Sequence, residues 1–125
     1  MGVNIAQINT LISRLREELL TDYIAVISEE GFLLYPSRPH RDLKRWLRVA
    51  SRHILLGRVT EKNFRLGRSL KRIIVDFDPF KMLILRVKGE NGKDLFLVAL
   101  VDEDYPVGLL LQEADDLAED LAGGG

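Results

Sequence analysis

The stretch of sequence that decides the fold covers residues 42–56, DLKRWLRVASRHILL. Its apolar residues recur at intervals of three and four, which is the spacing of one face of an α-helix. The carboxylate of Asp42 can accept hydrogen bonds from the free N–H groups of a first helical turn. The stretch therefore predicts a helix that packs on a core, through a stripe made of Leu43, Trp46, Leu47, Ala50 and Ile54.

The side of this predicted helix that faces away from the core stripe is basic. Between the two sides lie Val49, His53 and Leu56, a flank more apolar than a solvent-facing helix needs, which indicates a second packing partner. Arginine can bind carboxylates and phosphates through two parallel hydrogen bonds. The basic side is thus an ordinary solvated surface, a docking surface for an acidic protein, or a patch for nucleic acid or anionic lipid. We call it the basic face, and it consists of Arg41, Lys44, Arg45, Arg48 and Arg52.

Charge is distributed unevenly along a chain that is nearly neutral as a whole. The 125 residues are 46% hydrophobic and 30% charged with a net charge of −1, which is typical of a single folded domain. Residues 38–72 contain twelve Lys or Arg and two acids, whereas residues 102–120 contain eight acids and no Lys or Arg. This segregation predicts contacts guided by charge, with another protein or between copies of the chain.

Several classes of function are excluded by what the sequence lacks. Without cysteine there is no disulfide, thiol nucleophile or thiolate metal site. No apolar run approaches the roughly 20 residues of a membrane span, and no signal peptide is visible, so we expect a cytoplasmic protein. There is no glycine-rich phosphate loop of the P-loop or dinucleotide type. Two histidines thirteen residues apart, His40 and His53, and the pair Asp76 and Asp78 are more consistent with surface and turn positions than with chemistry. We expect no enzyme activity, no cofactor and no metal.

Apolar periodicity outside the basic helix predicts two more helices. The first covers residues 4–20, and the last begins at Pro106, since proline is favoured in a first helical turn. Residues 123–125 are expected to form a flexible tail. The basic helix is expected to end near Gly57. A second helical piece that continues through Phe64 is an alternative.

Five strands are predicted between and after these helices. A hairpin joins the first two through Gly31, and the pair Asn91-Gly92 is a strong hairpin signal between the last two. The fifth strand is a continuous apolar run, which indicates a central strand buried on both faces. The predicted strands cover residues 23–28, 32–35, 71–77, 81–87 and 95–101.

These elements predict an α/β fold of the α+β sandwich type in one domain over residues 1–125. The element order is α-β-β-α-β-β-β-α. Because short hairpins join the last three strands, the five-stranded sheet is expected to be mainly antiparallel. The basic helix should cover one face of the sheet, and the terminal helices should pack together on the other face.

Three stretches of the chain carry a resemblance to a known family. They are INTLISRLREELL at residues 8–20 leading into IAVISEEGFLLYPS at 24–37, the meander RIIVDFDPFKMLILRVKGENGKDLFLVALVDED at 72–104, and VGLLLQEADDLAEDLA at 107–122. The pattern resembles the roadblock family, the small domains of dynein light chains and bacterial GTPase regulators, and implies a roadblock/profilin-like architecture. The strongly basic second helix and the long segment at residues 60–68 depart from the family pattern.

The resemblance implies a homodimer whose sheets join edge to edge and whose second helices pair. It also implies a non-enzymatic regulator or scaffold for a small Ras-like GTPase, and some bacterial members are GTPase-activating proteins. The basic face is the predicted partner surface. A nucleic-acid-binding module that uses the same arginines and a purely structural dimerisation domain remain alternatives, with nucleic acid less favoured because exposed aromatics do not interleave the arginines. We predict a dimer interface that contains Trp46, Val49, His53, Leu56, Lys71, Ile73 and Val75.

Overall fold

The computed structural model of the chain describes residues 5–21, 23–30, 33–35, 43–64, 70–77, 80–88 and 92–124. The predicted order of elements is confirmed. The helices are α1 (Ile5–Leu19), α2 (Leu43–Phe64) and α3 (Val107–Gly124). The strands are β1 (Ile24–Ser28), β2 (Leu33–Tyr35), β3 (Arg72–Phe77), β4 (Phe80–Lys88) and β5 (Asp94–Asp102). Helix α3 includes residues 123 and 124, which belong to the predicted tail.

The five strands form one sheet in the order β2-β1-β5-β4-β3, and every neighbouring pair is antiparallel. Strand β5 lies in the middle, where Ala99 pairs with Ile24 of β1 on one side and with Leu83 of β4 on the other. Gly92 has a φ of +83°, a left-handed conformation that suits a hairpin turn between β4 and β5. The prediction of a central fifth strand is therefore confirmed.

Alternating side chains of the sheet build two separate cores. On β4, Met82 and Ile84 pack with α2, whereas Leu83 and Leu85 pack with residues of α1 and α3. The predicted arrangement, with the basic helix on one face and the terminal helices on the other, is confirmed. Among the described helices, none has the length and apolar content needed to cross a membrane.

Helix α2 does not end near Gly57, as the sequence predicted, but continues unbroken to Phe64. A glycine inside a helix costs about 1 kcal/mol relative to alanine, so the prediction followed local propensity. A β-carbon at position 57 would lie 2.8 Å from Cδ2 of Leu70 and 3.4 Å from Cδ1 of Ile73. Glycine is therefore placed here because Leu70 and the start of β3 approach the helix closely.

A half-buried ion-pair cluster fixes the C-terminal part of α2 to the sheet. Arg86 Nη1 donates to Glu61 Oε1 at 2.9 Å, and Arg86 Nη2 donates to a carboxylate oxygen of Asp94. The same Glu61 oxygen accepts the backbone N–H of Leu70 at 2.6 Å, and the backbone N–H of Arg86 donates to the carbonyl of Lys71 at 3.0 Å. The hydrogen bond with Asp94 raises the pKa of Arg86 above its ordinary value despite partial burial. One guanidinium thus joins α2, the segment before β3, and strands β4 and β5.

On the opposite face, polar contacts join α1 to the loop before α3. The Tyr105 hydroxyl donates to the carbonyl of Glu18 at 3.1 Å. The buried ammonium of Lys81 donates to the carbonyls of Glu103 and Tyr105. A side-chain hydrogen bond with Glu18, together with burial, raises the pKa of Glu113 above its ordinary value. Two carboxyl groups therefore share hydrogen bonding between α1 and α3.

Substitution Arg86→Ala should destabilise the fold by about 2 kcal/mol, because it leaves two half-buried carboxylates without their cation. Urea denaturation measures this as a lower midpoint with an unchanged slope. The matched control is Arg58→Ala, which removes a more exposed pair with Glu29 and should cost less than about 1 kcal/mol. Equal losses for the two variants would contradict the role of Arg86.

Stability should fall as pH rises, in part because of Glu113. Its pKa is raised in the folded chain, so its contribution is fully present below the pKa of an unfolded glutamate, about 4.3, and is lost as pH rises through the folded value. Substitution Glu113→Gln should therefore raise the melting temperature at pH 7 more than at pH 4. Glu17→Gln, which removes an exposed carboxylate from α1, is the control and should not change the pH dependence in this way.

Candidate protein-docking surface on helix α2

The basic face of α2 lies on the solvent side of the helix. Lys44, Arg45, Arg48 and Arg52 are exposed, while the residues of the core stripe between them are buried against the sheet. Their spacing of three and four residues presents the four cations together on one side of the helix. The fifth predicted member, Arg41, lies outside the described residues.

Described carboxylates do not pair with these four cations. Within the ranges that the structure describes, none of them forms an ion pair, whereas Arg58 pairs with Glu29 at 2.8 Å on the same helix. The pairs Lys44/Arg48 and Arg48/Arg52 have i,i+4 spacing, and like charges at that spacing cost a helix roughly 0.2–0.5 kcal/mol per pair. The arrangement favours an anionic partner.

The acidic last helix cannot supply that partner from within the same chain. Helices α2 and α3 cover opposite faces of the sheet. The described acid of α3 that forms an ion pair, Asp115, binds Arg72 of β3. Neutralisation of the basic face by α3 would therefore need a second copy of the chain.

Beyond Arg52, the outward side of α2 adds exposed apolar residues before it ends on the exposed Lys62. Leu55 is 65% exposed, Leu56 is 64% exposed, and Val59 is also exposed. We call these three residues the apolar end. Sequence reasoning missed Val59 because it ended the helix near position 57, and it did not single out Leu55 although that residue lay inside the predicted helix. The signal was present, since positions 48, 52, 55 and 59 continue the three-and-four spacing of one helical side.

The predicted dimer residues fall into two groups. Val49 and His53 are half-buried and Leu56 is exposed, on the flank of α2. Lys71 is exposed beside β3, and Ile73 and Val75 are partly buried against the α2 core. Strand β3 is the last strand of the sheet, so its outer edge has no strand partner within the described chain. These six residues therefore share one side of the domain.

Trp46, the seventh predicted interface residue, belongs to the core instead of the surface. Only 7% of it is exposed, because it shares the stripe that packs α2 on the sheet. Its Nε1 is buried and finds no acceptor among the described residues. Direct contact of Trp46 with a second chain stays a prediction, and little of the side chain is available for it.

Of the four residues considered for chemistry, the structure describes two. Asp76 is exposed and His53 is half-buried, while residues 40 and 78 lie outside the described ranges. No group of three or more His, Asp or Glu that could hold a metal ion occurs within the described part of the chain. The arrangement of α2 and β3 is suited to binding a macromolecule through charge and apolar contact.

Comparison with known proteins identifies the fold. No family model and no curated protein matches the sequence. Solved structures do match over nearly the whole chain. MglB of Myxococcus xanthus superimposes with a TM-score of 0.71 at 13% identity, covering 97% of this chain and 96% of that one. A roadblock/LC7 domain from Streptomyces avermitilis superimposes with a TM-score of 0.69 at 20% identity, covering 91% of this chain and 93% of that one. The gliding protein MglB of Thermus thermophilus superimposes with a TM-score of 0.64 at 18% identity, covering 98% of this chain and 91% of that one. The chain has the roadblock fold, as the sequence resemblance predicted.

Proposed function

We propose that this chain is a non-enzymatic, homodimeric regulator or scaffold of a small Ras-like GTPase. The GTPase docks on the basic face of α2. The observation that carries the proposal is the set of four exposed cations, unpaired within the described chain, on one side of a helix in a roadblock fold. Such a surface attracts an acidic partner and accelerates encounter with it.

The apolar end favours a protein over nucleic acid as the partner. Leu55, Leu56 and Val59 continue the basic face along the same helix. Exposed apolar residues beside charged ones are typical of protein interfaces. Phosphate contacts are made instead by cations and hydrogen-bond donors, which these three side chains lack. A nucleic-acid-binding module remains the second candidate because the same arginines could neutralise phosphates.

Dimerisation is supported by the side of the domain that carries β3 and the flank of α2. An unpaired strand edge tends to pair with another chain unless it is covered. The outer edge of β3 has no strand partner in the described chain, and Leu56 is exposed beside it on the flank. A twofold contact would use this same surface on both copies.

Substitution Val49→Glu should convert the dimer into a monomer, because it brings two like charges close to the twofold axis. Light scattering at micromolar concentration measures the mass, and circular dichroism checks that the variant is folded. Gln112→Glu is the control, since it adds the same charge on exposed α3 and should leave a dimer. A monomeric wild-type chain, or a dimeric Val49→Glu variant, would refute this interface.

Double reversal Arg45→Glu with Arg48→Glu should weaken GTPase binding about tenfold or more, since close charge pairs across an interface can contribute about 1.5 kcal/mol or more. Calorimetry with small GTPases of the source cell, loaded with GDP or with a GTP analogue, measures the affinity. Single-turnover hydrolysis in the same mixtures measures whether docking activates the GTPase.

The control for this reversal is Lys88→Glu, an exposed charge change at the end of β4, on an element that does not belong to the proposed docking surface. It should bind as the wild type does. Unchanged affinity of the double variant would remove the basic face from the proposal. Salt-dependent binding of the wild type to duplex DNA, lost in the double variant, would favour the nucleic-acid alternative. Loss of the dimer in the double variant would indicate that the arginines are neutralised between copies.

A further inference from the structure

A second exposed apolar surface lies on the face of the sheet opposite α2. Leu20 is 84% exposed, and Tyr23, Val107 and Leu109 are also exposed. They belong to one end of the domain, because the backbone N–H of Leu100 donates to the carbonyl of Tyr23 at 2.9 Å and Tyr105 is bonded to the last turn of α1. We call these four residues the end patch. The dimer and GTPase surfaces proposed above do not use it.

The surroundings of the end patch are mainly acidic, although Arg16 is exposed in the last turn of α1. The turn between β5 and α3 exposes Asp102, Glu103 and Asp104, and Asp116 is exposed on α3. Positions 109, 112 and 116 follow the spacing of one helical side, so Asp116 continues the side of Leu109. The nearby cation Lys81 is buried and donates to backbone carbonyls of the turn. The patch is therefore an apolar surface with a negative border.

Leu20 is held in a conformation that leucine rarely adopts. Its φ is +54°, in the left-handed region that usually carries glycine after a helix. A non-glycine residue there costs roughly 1–2 kcal/mol. Its side chain is almost wholly in solvent, so packing within the described chain does not account for a leucine at this position.

The outward side of α2 is the complement of the end patch. It presents four cations followed by three exposed apolar residues, whereas the patch presents exposed apolar residues bordered by acids. The two surfaces lie on opposite faces of the same sheet, so one molecule cannot join them internally. We propose that the end patch of one copy docks on the basic face and apolar end of α2 of another copy.

This contact is heterologous, because it joins two different surfaces, and it is separate from the twofold contact through β3. Repetition of such a contact builds rings or open chains and so links dimers into larger assemblies. If the proposed GTPase docking is also correct, the GTPase and a second copy compete for the basic face. Binding of the GTPase would then dissolve the assembly. Only this competition depends on the proposed function.

Sedimentation velocity of the full chain tests the proposal without any GTPase. At about 50 mM salt the wild type should form species larger than the dimer, and these should dissociate at about 500 mM, where charges are screened over a few ångströms. Leu20→Gly should abolish the large species without harming the fold, since glycine suits the left-handed position. Arg48→Glu should abolish them as well, and Lys88→Glu, an exposed change on β4, should not.

Charge exchange provides the decisive comparison. A chain with Arg45→Glu and Arg48→Glu, and another with Asp104→Lys and Asp116→Lys, should each remain dimeric alone. Their mixture should form large species again, because the reversed face meets the reversed border. The large species should also form from Val49→Glu protein, which keeps both heterologous surfaces.

A wild type that stays dimeric at low salt, or large species that persist in Leu20→Gly, would overturn the proposal. So would a mixture that does not assemble. These outcomes are independent of GTPase binding, which can fail or succeed separately.

Discussion

The burial of the central strand β5 on both faces is the constraint on which the rest of the structure depends. Its side chains alternate between the two cores, with Phe96 and Val98 toward α2, and Leu97 and Ala99 toward α1 and α3. An apolar strand of this kind is stable only when both faces of the sheet are covered. The chain meets this requirement with one long helix on one side and two helices on the other. The same requirement separates its basic and acidic segments in space.

Most of the architecture could be predicted from local patterns in the sequence. Apolar residues that repeat every two positions predicted the strands, and those that repeat every three to four positions predicted the helices. Short hairpins predicted that the last three strands are neighbours in the sheet. The end of α2 could not be predicted in this way, because Gly57 weakens a helix locally while its contact with Leu70 is a tertiary effect. The cluster at Arg86 was also inaccessible, since Glu61 is 25 residues away along the chain and the sheet alone brings the two together.

The candidate site divides in the same manner. Helical spacing alone predicted the cations at positions 44, 45, 48 and 52, which the structure leaves exposed. Of the apolar end, Leu56 was predicted as a flank residue, and Val59 was missed as a consequence of the misplaced helix end. Trp46 shows the limit of a projection of the sequence onto a helix. The projection assigned Trp46 to the core stripe, whereas the expected pairing of second helices also made it a predicted interface residue. Burial confirms that Trp46 belongs to the core stripe, while its contact with a second chain stays a prediction.

The separation of charges has a consequence for how this chain functions. In many small domains, a basic helix is neutralised by acidic residues packed beside it. Here α3 and α2 lie on opposite faces of the sheet, and Asp115 of α3 forms an ion pair with Arg72 of β3. Among the residues that the structure describes, no carboxylate pairs with the four cations, so their mutual repulsion is not offset by a described ion pair. Solvent screens it only in part, and an anionic surface of another molecule relieves it further. The fold thus keeps the basic face on the solvent side of α2, where the proposed partner surfaces can reach it.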